Sequence, residues 1–364
     1  MLLFAIAYAK ISVENIFRFI IKHGSGILSD RSQNCRARIV AVVLDIIVAG
    51  NILLIFAYFH HVREVPVEYQ GISVVDTVSA SDISADASAV PSDTDAEAEQ
   101  PEDFGGDFTR KFPDKFTDGE IVETETSYMS SKVNVSYRDF SSEIDGLSFN
   151  GHVIDVYVGS YDLLQTALAG DSFGTSMNHC SHTLSIAKKK NAVAAMNGDY
   201  YSARRIGPVV RNGVMFRDTP DSDIFVMYTD GSMKAFEKGT YNDLDYTAGN
   251  IWNVWSFGPS LLTADGGTKT TFNSILNEPH PRSAIGYYEP GHYCFVAVDG
   301  RGKGGSEGIS LEAFSQMFHD MGCTAAYNVD GGRTSVLEFN GTILNNPPGG
   351  GARPCSDIIY IPKE

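Results

Sequence analysis

The chain has 364 residues, 28 Lys and Arg against 45 Asp and Glu, and a formal net charge of −17. So acidic a chain, with no basic stripe in its sequence, excludes a nucleic-acid-binding surface of the usual kind. The charge is concentrated: residues 61–126 hold 17 acidic and 4 basic residues, and the rest is near balance.

Residues 1–38 come first. Lys10, Glu14 and Arg18 recur every four residues and share one helix face. That pattern fits an amphipathic helix lying on a membrane, or a misassigned start. Residues 39–59 are one long apolar run, and about 20 residues suffice to span a bilayer. Asp45 and Asn51 interrupt it, and an Asp at mid-membrane costs about 2.5–3.5 kcal/mol on insertion scales. Lys22, Arg31, Arg36 and Arg38 precede the run, which places the N-terminus in the cytoplasm and the bulk of the chain outside. The run is too long and too far from Met1 for a cleaved signal peptide. Residues 60–120, rich in Ser, Ala and Asp, cannot bury enough apolar surface to offset chain entropy and read as a disordered stalk. Residues 121–364 then form one domain of ordinary size.

In that domain His152–Val158 alternates as a strand. Met177–Lys190 reads as a helix with a basic end, and Ala192–Met196 as a short buried strand. Asp223–Tyr228 and Met233–Phe236 form a hairpin around Asp230-Gly231. Ile251–Phe257 is apolar and ends in Gly258-Pro259. Pro281–Tyr288 and Tyr293–Val298 are strands joined at Glu289-Pro290-Gly291. Leu311, Phe314, Met317, Phe318 and Met321 fall at helical spacing, with Ser310 as N-cap and Gly322 as the stop. Thr324–Val329 follows. Strand, helix, strand in so short a span predicts a parallel pair with a right-handed crossover. Ser335–Phe339 and Thr342–Leu344 flank Asn340-Gly341 as a type I′ hairpin, and Ile358–Ile361 closes the domain. The fold class is α/β (α+β): a strand-rich mixed-sheet domain with a few packing helices, preceded by a single transmembrane helix. Cys35 falls on the cytoplasmic side. Cys180, Cys294, Cys323 and Cys355 fall outside, with no metal-type spacing, and three pairings are open to them.

Three strands end in Asn or Asp followed by Gly: Asn197-Gly198-Asp199, Asp299-Gly300 and Asn328-Val329-Asp330-Gly331-Gly332. Asp-Gly turns well on its own account. If the last two strands run in one direction, however, Asp299 and Asp330 share one rim crevice, where open α/β sheets place their ligands. Glycines there let main chain approach a ligand. Arg282 and Arg353 lie beside prolines near strand ends, and Arg301, Lys303 and Arg333 follow the two aspartates. A guanidinium fork suits a phosphate oxygen pair, and a carboxylate beside it suits acid–base work at an anomeric centre. The loop Gly300–Gly305 lacks the Gly-Lys-Ser/Thr of a P-loop, and no Gly-x-Ser-x-Gly elbow occurs. His60, His61, His179 and His182 lack a Glu-x-x-His partner, and no cofactor motif is read.

These stretches resemble the phosphodiester glycosidase family. The resemblance rests on Asn197-Gly-Asp-Tyr-Tyr201, Phe257-Gly-Pro259, Pro281-Arg-Ser-Ala-Ile-Gly286, Val298-Asp-Gly-Arg301, Asn328–Gly332 with Thr334-Ser335, Asn345, and Arg353-Pro354, in order over roughly half the chain. It implies hydrolysis of the bond between a sugar's anomeric carbon and a phosphodiester, releasing sugar and phosphomonoester. The sugar would be N-acetylglucosamine-like, on envelope glycans or exopolysaccharide. It also implies a pocket lined by Asp330, Asp299 and Asn328 as catalytic residues. Asn197, Asp199, Arg282, Arg301, Gly331, Gly332 and Arg353 would bind substrate. Arg333 stands where members often carry a small residue, and Val329 where Leu is usual. Two other readings use the same residues: a non-catalytic module that binds phosphorylated glycans, and a phosphodiesterase holding Mg²⁺ or Ca²⁺ on the rim aspartates. The sugar, aglycone, disulfides and oligomeric state are not set by the sequence.

Overall fold

Alternation is what builds this domain. In the computed structural model, which describes residues 72–73, 106–144 and 146–364, inward-facing Val133, Val135, Ile154 and Val156 are fully buried on two long paired strands. In chain order the strands are β1 (Ile72–Ser73), β2 (Val122–Glu123), β3 (Ser127–Met129), β4 (Val133–Ile144), β5 (Leu147–Val158) and β6 (Gln165–Leu168). Helix α1 (Thr183–Lys189) leads to β7 (Ala192–Asn197), β8 (Val209–Arg211), β9 (Val214–Arg217), β10 (Ile224–Tyr228) and β11 (Met233–Phe236). The one-turn α2 (Leu244–Thr247) precedes β12 (Ile251–Trp255), β13 (Arg282–Glu289) and β14 (His292–Val298). Helix α3 (Leu311–Asp320) precedes β15 (Ala325–Val329), β16 (Leu337–Phe339), β17 (Thr342–Ile343) and β18 (Asp357–Pro362).

Three sheets result, ordered β15-β13-β14-β5-β4-β3-β2, β17-β16-β7-β18-β6 and β1-β9-β8-β12-β10-β11. Their inner faces share one core: Ile154, Phe295 and Tyr327 from the first, Met196 and Ile359 from the second, Phe225 and Trp255 from the third. On the other face of the first sheet, Phe314 and Phe318 of α3 pack on Ala284, Cys294 and Val296. Helix α1 covers the outside of the second sheet through Ile186 and Ala187. Strands β7 and β18 are therefore enclosed on both faces, which explains their unbroken apolar runs.

The strand-rich domain with few helices is as expected, but the pairing differs. Strand β13 lies between β14 and β15, antiparallel to both. The parallel neighbours expected are thus not neighbours; two antiparallel pairings in succession restore a common direction. The rim argument survives on that different ground. The hairpins at Asp230-Gly231 and Asn340-Gly341 form as expected, the latter with both turn residues at positive φ (48° and 82°). The helix expected over Met177–Lys190 is shorter, because Ser181 pairs through its main chain with Cys355 and holds the backbone extended just before α1.

The folded region also begins earlier than residue 121. Phe108 is buried in the shared core, its amide bonded to the Gly159 carbonyl, and its ring rests against Gly231 and Gly291. The four described cysteines are free thiols; Cys294 and Cys323 approach to 3.9 Å between sulfurs. Residues 39–59 and most of the expected stalk lie outside the described residues. Among those described, no helix is long and apolar enough to cross a membrane.

Candidate active site

The site is set by register at the start of β13. Ser283 pairs with Val329 on one side, and Arg282 with Val298 on the other. Asp330 and Asp299 each follow directly, so they leave the sheet on the same rim, one strand to either side of Pro281–Arg282. Two strand spacings separate their main chains by about 10 Å.

Asp330 is 5% exposed, and its Oδ2 accepts a hydrogen bond from Arg353 Nη2 at 2.9 Å. Arg353 Nε donates to Thr334 Oγ1 at 2.8 Å, and the guanidinium lies over the Tyr200 ring, 4.6 Å from its centroid. Burial raises the Asp330 pKa above the ordinary carboxylate value, against the opposing pull of Arg353 and the Thr334 hydroxyl. Arg353 is a third exposed where Asp330 is nearly closed off. A cation open to solvent beside a carboxyl biased toward its protonated form can meet an anionic ester and supply a proton to it.

Asp299 stands in a separate network. Its Oδ1 accepts from Asn346 N at 2.7 Å and its Oδ2 from Asn346 Nδ2 at 2.8 Å. His152 Nε2 lies 3.9 Å from Oδ2, too far for a hydrogen bond, while its Nδ1 is 2.7 Å from Asp139. Burial pushes the Asp299 carboxyl up, but His152 and Asn346 outweigh it and hold the pKa below the ordinary value. Burial likewise pulls His152 down, and Asp299 and Asp139 prevail, so it is raised. Asp299 is only 1% exposed, roofed by the loop at Gly304. The carboxyl expected as the catalytic partner of Asp330 is thus enclosed and bonded to Asn346.

Four further expected residues are engaged with the fold. Asn197 is fully enclosed; its Nδ2 donates to the Asp330 carbonyl at 2.5 Å and its Oδ1 accepts from Val336 N at 3.1 Å. It positions Asp330 and presents nothing to a sugar. Asp199 pairs with buried Arg211 at 3.0 Å and accepts from the amides of Ser256 and Phe257. Arg282 is also turned inward, donating to the carbonyls of Ile309, Leu276 and Glu278, and burial lowers its pKa to about 10. It clamps loops together and does not face Arg353. Asn328 donates to the Gly258 carbonyl at 2.9 Å, and its Oδ1 is buried without a partner.

The glycines are required by the fold of the loop itself. A Cβ on Gly331 would stand 2.8 Å from the Pro281 carbonyl oxygen, and Gly332 has φ +66°. Arg301 from the end of β14, two strands away, lies over Gly332, with Nη2 3.3 Å from where its Cβ would be. Sequence reasoning missed His152 and Asn346 as site-building residues and took Thr334 only as part of a motif. The one available signal was His152, a polar residue at an inward position of an alternating strand. A cavity of about 330 Å³ lined by Phe149, Phe272, Glu278, Ile309 and Glu312 lies behind the Arg282 clamp and not against Asp330. Among the described residues, no three His, Cys, Asp or Glu side chains converge as a metal ion would require.

With this rim in view the comparison with known proteins is direct. Residues 190–362 match the family model described as phosphodiester glycosidase. That match, over just under half of the chain, supports the resemblance to this family read from the sequence. The match begins just before β7 and ends at the last residue of β18, so it takes in Asn197, Asp299, Asp330 and Arg353. The folded domain extends upstream of the match through β2 to β6. The fold is that of the zebrafish N-acetylglucosamine-1-phosphodiester alpha-N-acetylglucosaminidase catalytic domain auto-inhibited by its pro-peptide, with a TM-score of 0.53 at 20% identity over 63% of this chain and 84% of that one. A prophage-derived uncharacterized protein of Bacillus subtilis (strain 168) is 29% identical over 199 residues, covering 52% of this chain. The matched part is 30% of that protein's length, so this chain corresponds to about a third of it.

Proposed function

We propose that this protein hydrolyses a sugar phosphodiester at the anomeric carbon, using Asp330 as proton donor and Arg353 as the phosphate-holding cation. The observation that carries this reading is the 2.9 Å pair between a solvent-reachable guanidinium and a buried carboxyl of raised pKa, at the rim of a phosphodiester glycosidase domain. When the ester phosphate takes the guanidinium, Asp330 loses its counter-charge and its hold on a proton strengthens. A water oxygen then bonds to the anomeric carbon. The bond from that carbon to the bridging oxygen breaks, and its electron pair leaves with the phosphomonoester. Asp330 passes its proton to a phosphate oxygen, Arg353 neutralises the remaining charge, and the water's proton restores Asp330. Ionised Asp299 fixes Asn346 and the adjoining wall. Residues 39–59 would anchor the protein in the membrane with this domain outside, which brings envelope glycans bearing phosphodiesters within reach.

The test uses the full-length chain with an α-N-acetylglucosamine phosphodiester, following free sugar and phosphomonoester with and without chelator. Both products should appear in equal amounts and persist in chelator. In Asp330→Asn, checked for folding by circular dichroism, turnover should fall at least ~100-fold. Near-normal turnover in that variant would remove Asp330 from the reaction. Binding without turnover in the parent chain would favour a glycan-binding module, and dependence on added Mg²⁺ or Ca²⁺ a phosphodiesterase.

A further inference from the structure

Arg301 follows β14 and Arg333 follows β15, 32 positions apart, and Arg353 lies in the approach to β18. The fold collects them on one short loop, Asp330–Thr334. Arg301 rests over Gly332. Arg333 is on the loop itself, packed along Gly349, with its Nε 3.4 Å from the Gly351 carbonyl. Arg353 is tied to the same loop by the hydrogen bond its main-chain N–H donates to the Arg333 carbonyl and by the one its Nε donates to Thr334. Lys303 lies exposed on the turn that carries Arg301. Of these four cations only Arg353 makes an ion pair among the described residues, and Glu307 on the Arg301 loop pairs with none of them.

We infer that the site takes a glycan with a phosphodiester in every repeat, the scissile phosphate on Arg353 and flanking phosphates on Arg301 with Lys303 and on Arg333. This deepens the reading above and rests on it. A single sugar diester carries one phosphate charge and needs one guanidinium. Two exposed guanidinia without ion pairs among the described residues, gathered at the same loop as a paired one, suit an anion whose charges repeat along a chain. Most of the net charge of −17 falls in residues 61–126 and the rest of the chain is near balance, so these cations set the local sign.

The experiment compares a monomeric α-N-acetylglucosamine phosphodiester with a short oligomer of the same phosphodiester-linked repeat, on the full-length chain at low and high salt. The oligomer should show a KM roughly tenfold lower at low ionic strength, from the local field of the extra cations. That preference should largely vanish at about 0.5 M salt, where screening lengths shrink to a few ångströms. Arg301→Gln and Arg333→Gln should each reduce the oligomer-to-monomer ratio of kcat/KM by roughly threefold, whatever they do to the monomer alone. A wild-type ratio near one, or a ratio unchanged in both variants, overturns the inference while leaving monomer hydrolysis standing. If neither compound is turned over, the proposed hydrolysis fails instead, and calorimetric affinities for the same two compounds decide this inference by the same ratio.

Discussion

At the scale of single residues, the proposed chemistry depends on the environments that push two carboxyls apart. Asp330 is raised by burial, and Asp299 is held down by Asn346 and His152. The activity attributed to the protonated Asp330 must therefore fall as pH rises through its pKa. Because Arg353 lowers that pKa, its removal moves the titration upward. In Arg353→Gln the alkaline limb of the residual pH–rate profile should shift to higher pH while KM rises; a limb that stays in place would separate Asp330 from that titration. Arg353→Lys should not restore activity fully, since an ammonium cannot bond Thr334 and Asp330 with the guanidinium's planar fork. Asn197 could be named from its Asn-Gly-Asp motif, but not its task. An amide that bonds two main-chain groups from inside the fold reads identically in sequence to one that greets a sugar.

At the scale of elements, α3 and the β16–β17 hairpin carry the clearest expectations. Ser310 Oγ accepts from Ala313 N at 3.1 Å, so Ser310→Ala should cost about 1 kcal/mol in chemical denaturation. Glu338 on β16 is buried, with one oxygen on the Gly341 amide and the other without a partner, and burial raises its pKa from 4.5 to about 7. Folding thus prefers the protonated form. No penalty exists below the unfolded value; it grows as pH climbs through that window and is complete above the folded pKa. Glu338→Gln should accordingly stabilise the protein by about 2 kcal/mol at pH 8, with the gain gone near pH 4. Equal effects at both pH values would contradict this sign. The cap, the apolar stripe of α3 and the Asn340-Gly341 turn were all readable, because each is decided by neighbours in the chain. The break before α1 was not, because it follows from a bridge between Ser181 and Cys355.

At the scale of the whole molecule, the second and third sheets meet through a buried triad. Arg211 donates to Asp357 at 2.6 Å and to Asp199 at 3.0 Å, and all three are almost entirely enclosed. Arg211→Met leaves two carboxylates uncompensated and should cost about 3–5 kcal/mol. In a domain this size that corresponds to a melting-temperature loss of roughly 10 °C. Truncation to residue 121 removes Phe108 from the shared core, so a chain starting there should melt below one starting at residue 106.

The strands, the hairpins, the capped helix and the two rim aspartates are determined by the sequence itself, because period, turn chemistry and capping act over a few residues. The family match over residues 190–362 rests on that same local information. The tertiary structure alone decides which of those residues reach the site. It inserts β13 between β14 and β15, turns Arg282 and Asp199 inward, and encloses Asp299. It also gathers Arg301, Arg333 and Arg353 onto one loop of an acidic chain. Strand order and burial arise from contacts between segments distant in sequence, and an arginine carries the same letter whether it faces a carbonyl cage or solvent.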